Sequence, residues 1–206
     1  MIRPEDVKRL RDQTGAGIMD AKRALEHAGG DMAKATKHLR EQGLASAAKK
    51  AGRQAREGLV TSYIHTGGRL GALVEINCET DFVARTDDFA QLAKEIAMQV
   101  AGLAPLYVSR DEVPAEMLEE QRRVFADDTR RDGRPEDKVP MIVEGKLNKW
   151  LEQVCLLEQP YRDTDRTAGD LVKEKIALLG ENIRVARFAR FVLGEGADDP
   201  GTAEGA

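Results

Sequence analysis

Leu59-Val-Thr-Ser-Tyr-Ile-His65, Thr66-Gly-Gly-Arg69, Leu70-Gly-Ala-Leu-Val-Glu-Ile-Asn-Cys78 and Glu79-Thr-Asp-Phe-Val-Ala-Arg85 follow one another without interruption. The first and third stretches are short, apolar and rich in branched residues, and a glycine pair separates them. That pattern predicts a β-hairpin. No Gly or Pro divides the second strand from the fourth stretch, so strand should pass directly into helix. Thr80 suits the helix N-cap, with Asp81 in the first turn where the helix dipole favours an anion. Phe82 then projects from the start of a new element. It can close the core beneath the turn, or it can enter a partner's pocket.

Working towards the C-terminus, Phe89, Leu92, Ala93, Ile96, Ala97 and Val100 make one apolar stripe on a helix from about 88 to 102. Packed on the hairpin, that helix gives an α+β layer. Ser109 with Glu112 resembles a capping box, and Pro114 suits the first turn of the helix that follows. Two helices, the first from Pro114 to about 132 and the second from about 139 to 154, are joined by Gly133-Arg-Pro135 and predict a helical hairpin over about 112–155. Thr167 is placed to cap a helix over 168–179, which Gly180 would end. Ile183 to Leu193 then alternates as a closing strand, with Arg184, Arg187 and Arg190 expected on a solvated face. The Gly-rich acidic tail, 195–206, is expected to be disordered.

Working towards the N-terminus, residues 1–44 read as three short helices. Pro4 starts the first, with Val7 and Leu10 inward. Gly15-Ala-Gly17 interrupts before the second, which carries Ala21, Ala24, Leu25 and Ala28. Asp31 caps the third, which runs through Met32, Ala35 and Leu39 to Gly43. The Gly15-Ala-Gly17 turn follows a helix and no Gly-Lys-Ser/Thr comes after it, so a phosphate loop is excluded by context. Ile18 and Met19 cannot both face so small a core, and one of them is expected at an interface. Residues 45–57 are Ala-rich and basic and predict a helical linker. The α+β core is expected over 58–194.

Composition bounds the function. Hydrophobic residues at 41% and charged residues at 33% describe a globular chain, with few aromatics for its core. No apolar run approaches the roughly 18 residues of a membrane span. The start, Met1-Ile-Arg-Pro-Glu-Asp6, lacks the apolar centre of a signal peptide, and the two cysteines read as buried thiols, so a cytoplasmic location is expected. Residues 1–57 carry 13 Lys and Arg against 8 Asp and Glu, whereas the rest of the chain is acidic. That asymmetry suits an N-terminal module facing an acidic surface, or an uneven spread of solvated charge.

Enzymatic chemistry finds no constellation. His27, His38 and His65 lie in separate elements without a Cys or carboxylate at ligand spacing, and no nucleophile–base pair can be drawn. No cofactor and no bound metal are expected. The basic stretch 49–56 offers phosphate contacts but no aromatic for base stacking, so nucleic acid is the weaker reading of it. A scaffolding adaptor built on the small helical module is the other alternative.

Two segments carry a family resemblance. Leu10-Arg-Asp-Gln-Thr-Gly-Ala-Gly-Ile-Met-Asp-Ala-Lys-Arg-Ala-Leu25 and Glu75-Ile-Asn-Cys-Glu-Thr-Asp-Phe-Val-Ala-Arg85 resemble the two signatures of translation elongation factor Ts, and the likeness continues through Gly180-Glu-Asn-Ile183. It covers roughly residues 4–194 and looks like the short form of the family, with one core module. The resemblance implies a ubiquitin-associated-like N-terminal module and a guanine-nucleotide exchange factor for elongation factor Tu. It implies that Leu10, Gly15, Gly17, Ile18 and Met19 lie at or near the contact with the GTPase. It also implies that Thr80, Asp81, Phe82 and Val83 dislodge the partner's Mg²⁺. A homodimer is expected by the same likeness, held by packing, because Ala189 stands where some short-form relatives have a cysteine.

Overall fold

The computed structural model describes residues 2–162 and 164–195. Beyond Glu195, the expected disordered tail lies outside the described residues. The fold is α+β, with eight α-helices and one three-stranded antiparallel sheet among those residues. The described chain divides into two units. One comprises 2–59, 76–92 and 170–184, and the other comprises 60–75, 93–162, 164–169 and 185–195.

In the first unit, α1 (Pro4–Thr14), α2 (Ile18–His27) and α3 (Met32–Lys50) enclose a small core of Val7, Leu10, Ala21, Ala24, Leu25 and Ala35. The local signals act as expected. Pro4 begins α1, and Gly15 ends it in the left-handed region (φ 68°), its amide donating to the Arg11 carbonyl at 2.7 Å. Asp31 accepts from the amides of Ala33 and Lys34 at 2.9 and 3.1 Å and so caps α3.

The third helix differs from its expected length. It passes through Gly43 and ends at Lys50, so the basic stretch is helical only in its first half. Gly43 is a packing position there rather than a stop. A Cβ at Gly43 would lie 3.2 Å from the Ala177 Cβ on α8 (Ala168–Leu179). The lack of a side chain lets the two helices approach, which compensates part of the roughly 1 kcal/mol that a mid-helix glycine costs.

The sheet has the order β1-β2-β3, from β1 (Glu57–Ile64), β2 (Leu70–Cys78) and β3 (Arg184–Val192). The hairpin turn closes with the His65 amide on the Leu70 carbonyl at 2.8 Å. On β2, Ala72, Val74 and Ile76 are buried, and Leu73 between them is exposed. This is the period of two that the pleat imposes.

β2 leads into α4 (Asp81–Ala84) and then α5 (Asp87–Leu103). The expected stripe on α5, from Phe89 to Val100, is buried throughout. In the second unit the Arg190 guanidinium donates to the Ala101 carbonyl at 3.1 Å. Arg190 is therefore not on the solvated face with Arg184 and Arg187. Alternation sets it on the opposite face from Arg187, three residues away, and a carbonyl near the end of α5 accepts its hydrogen bond.

α6 (Ala115–Arg131) and α7 (Val139–Val154) form the helical hairpin. Val139, Val143, Leu147 and Leu151 bury one face of α7. Before the hairpin, Ser109 makes no side-chain cap. Instead Glu112, in a short 3-10 turn, reaches back to accept from the Val108 amide at 3.0 Å. Half of the expected capping box is realised, one residue earlier in the chain.

Candidate functional site

A four-residue helix cannot hold its own shape, because helix nucleation is unfavourable and α4 has too few internal bonds to offset it. Its geometry must come from its ends. At the N-terminus the Thr80 hydroxyl accepts from the Val83 amide at 3.4 Å. At the C-terminus the Thr86 hydroxyl donates to the Val83 carbonyl at 2.8 Å and accepts from the Phe89 amide at 3.3 Å, closing α4 and opening α5. One threonine on each side therefore brackets Asp81–Arg85.

Further bonds anchor the turn to the segment after α8. The Glu181 carboxylate accepts from the amides of Glu79 and Thr80, both at 3.0 Å, and from the Thr80 hydroxyl at 2.6 Å. In return the Glu79 carboxylate accepts from the Asn182 amide at 2.6 Å. The Asn182 side chain donates to the Arg53 carbonyl at 2.7 Å. From beneath, the Cys78 thiol donates to the Thr80 carbonyl at 3.1 Å. Burial, with the nearby Glu181 charge second, pushes that thiol up to about 11, so it stays protonated as a donor near neutral pH.

On this pinned turn the Phe82 ring is 79% exposed. Ala84, in the same turn, is buried, and Asp81 pairs with Arg85 at 2.9 Å across one helical turn. An aromatic held on a fixed backbone and facing solvent loses little freedom when it enters a partner. Its burial there would contribute roughly 1.5–3 kcal/mol.

The N-terminal residues separate into two groups. Leu10 is fully buried in the three-helix core and supports the module from within. Ile18 and Met19 are 59% and 60% exposed, adjacent at the start of α2, so both rather than one are carried outward. Gly15 sits 3.6 Å, measured from a Cβ built on it, from the Leu178 side chain on α8, and Gly17 is the residue preceding α2. Gly15, with its positive φ of 68°, makes the turn after which Ile18 and Met19 leave the module.

Sequence reasoning missed the contact made by Glu181 and Asn182. Their segment was conspicuous, but nothing local in it names a partner. It also missed that His27 and His38 stack with ring centroids 4.3 Å apart, a pairing set by the crossing of α2 and α3. Among the described residues no group of three or more His, Cys, Asp or Glu could hold a metal ion. No helix among them is long and apolar enough to cross a membrane. Of the basic residues in the stretch 49–56, Lys50 donates to the Ile176 carbonyl at 3.4 Å and Arg53 to Glu79 at 3.5 Å.

Comparison with known proteins adds an independent observation. A family model described as Elongation factor TS matches residues 26–195. A protein of Carboxydothermus hydrogenoformans called Elongation factor Ts is 56% identical over 197 residues, spanning 95% of this chain and 91% of its own length. Proteins of the same description from Coprothermobacter proteolyticus and Thermotoga petrophila are 56% and 54% identical. They span 92% and 94% of this chain, and 96% of their own length in each case.

Proposed function

This chain belongs to the elongation factor Ts family, with a role in translation elongation, and we propose that it is the guanine-nucleotide exchange factor for elongation factor Tu in the cytoplasm. The observation that carries the reading is the exposed Phe82 ring on a turn bonded at both ends. Ile18 and Met19 on the N-terminal module supply apolar docking surface, and the Thr80–Val83 turn does the work at the metal.

Mg²⁺ in a GTPase site requires near-octahedral ligands at about 2.0–2.1 Å. A wedge need shift those ligands only slightly to weaken the ion's hold on the nucleotide. Inserting Phe82 into the partner stabilises the displaced arrangement, and Asp81 sits one residue before it to meet donors freed by the shift. Each 1.4 kcal/mol taken from GDP binding or from the release barrier is about tenfold. Linkage requires that GDP weaken the factor's binding by the same factor as the reverse. The chain forms no covalent bond and needs no cofactor in this role.

Release of labelled GDP from elongation factor Tu tests the proposal. Wild-type chain should accelerate release, and Phe82→Ala should not. Undiminished acceleration by Phe82→Ala would refute the wedge. Binding without any acceleration by the wild type would favour the adaptor reading. Strongly salt-dependent RNA binding would favour the nucleic-acid reading.

We also propose a homodimer built on the outer face of the sheet. An antiparallel sheet commonly turns a polar face to water. Here Val60, Ile64, Leu73, Phe191 and Leu193 are all exposed. A second copy related by a two-fold axis would set this apolar face against itself, which closes the assembly at two.

A further inference from the structure

We infer that Glu181 is a positioning residue for nucleotide exchange, holding the turn that presents Phe82. The inference rests on the wedge reading above and assigns a role to a residue 101 positions away from Thr80.

Three donors converge on one carboxylate. Oε2 accepts from the Glu79 and Thr80 amides at 3.0 Å each, and Oε1 accepts from the Thr80 hydroxyl at 2.6 Å. These two amides immediately precede α4 and belong to the residues that set its starting direction. The Thr80 hydroxyl has two tasks. It donates its proton to Glu181 and accepts the Val83 amide, so the carboxylate fixes the orientation of the group that caps α4. A hydrogen bond to a charged acceptor is about twice as strong as a neutral one. Glu181 is itself held, because its neighbour Asn182 donates its amide to Glu79 and its side chain to the Arg53 carbonyl.

This arrangement makes the two-residue step Glu181-Asn182 a clamp on the two-residue step Glu79-Thr80. Without the carboxylate, two amides and a hydroxyl would turn to water, and the N-terminus of α4 would keep its weak 3.4 Å cap and the Cys78 bond to the Thr80 carbonyl. Phe82 would then sample several directions. Exchange depends on one of them, and a misplacement of about 1 Å at a reacting centre costs on the order of a hundredfold.

The test uses full-length Glu181→Ala, Glu181→Gln, Phe82→Ala and the double variant Phe82→Ala/Glu181→Ala. GDP release from elongation factor Tu is measured over a range of factor concentrations. Glu181→Ala should lower the maximal rate about tenfold or more while leaving the half-saturating concentration within about twofold. Glu181→Gln should keep most of the rate. Its amide oxygen can accept both backbone amides, and its NH₂ can donate to the Thr80 hydroxyl, which is an acceptor as well as a donor. The double variant should equal Phe82→Ala, because Glu181 acts only through that ring.

Amide exchange at Glu79 and Thr80 should quicken in Glu181→Ala and not in Phe82→Ala. If Glu181→Ala does not fold, Glu181→Asp and Thr80→Val take its place, with the same non-additivity against Phe82→Ala expected. A full rate in Glu181→Ala alongside a lost rate in Phe82→Ala overturns the positioning role and spares the wedge. A full rate in Phe82→Ala overturns the wedge. A loss in Glu181→Gln as deep as in Glu181→Ala, or additive losses in the double variant, overturns positioning in favour of direct contact with the partner.

Discussion

Phe82 and Phe89 stand seven residues apart and face opposite environments, the first 79% exposed and the second fully buried. On one continuous helix, residues seven apart share a face. The break at Thr86, whose hydroxyl ends α4 and starts α5, lets the two rings diverge. Their substitutions should therefore separate stability from function. Phe89→Ala should cost about 3–5 kcal/mol, as large-to-small core changes do. Phe82→Ala should stay within about 0.5 kcal/mol, because the ring has few contacts to lose. Urea denaturation of the two variants beside the wild type decides this, and a large loss from Phe82→Ala would mean that the ring packs inside the chain.

Gly58 offers a test of the strand geometry. Its φ is +144°, and a Cβ built there would lie 2.0 Å from the Ile76 carbonyl oxygen and 2.8 Å from the Asn77 Cα. Both obstacles are backbone, so no rotamer relieves them. Gly58→Ala should destabilise by roughly 2–5 kcal/mol through strain and overpacking. A urea midpoint equal to that of the wild type would contradict the close approach of β1 to β2.

The cysteines predict an alkaline dependence. Burial, with Glu181 second, pushes the Cys78 thiol up to about 11, and burial with Glu158 second does the same to Cys155. An unfolded thiol ionises near about 8.5. Between those values the unfolded chain has shed protons that the native chain keeps, so stability falls as pH rises. The contribution is fully present below about 8.5 and is lost towards about 11. The urea midpoint should drop between about pH 8 and about pH 10.5, and the drop should shrink in Cys78→Ala/Cys155→Ala. An equal drop in that variant would assign the effect to other groups.

Phe191 tests the proposed dimer. It is 63% exposed on β3 and far from the Thr80–Val83 turn in sequence. Phe191→Glu places a charge on the face that a second copy would cover, where an unpaired buried carboxylate is costly. Light scattering should give twice the 22.7 kDa chain mass for the wild type and a single chain for the variant. A wild-type mass of one chain at micromolar concentration would remove the dimer.

Much of the architecture was readable because its signals are short-ranged. The hairpin glycines, the Asp31 and Thr80 caps and the α5 stripe each act within about three turns of chain. The misreadings share one cause. Gly43 looked like a helix end until α8 was seen to pack against it. Arg190 looked solvated until the Ala101 carbonyl appeared opposite it. At the candidate site the small size of the module predicted that one of Ile18 and Met19 would face outward, and the structure exposes both. Burial of Leu10, beside them in the same motif, was equally consistent with its pattern on α1.

Residue spacing and capping chemistry alone established that a strand yields to a short capped helix at Thr80 and that an aromatic follows two positions later. They could not say which way the ring would face. A helix cap is a local event, settled by neighbours four residues away or fewer. Burial is non-directional and depends on which distant surfaces meet. Phe82 faces outward in the folded chain, and folding brings Glu181 across 101 residues to clamp Thr80 beside it.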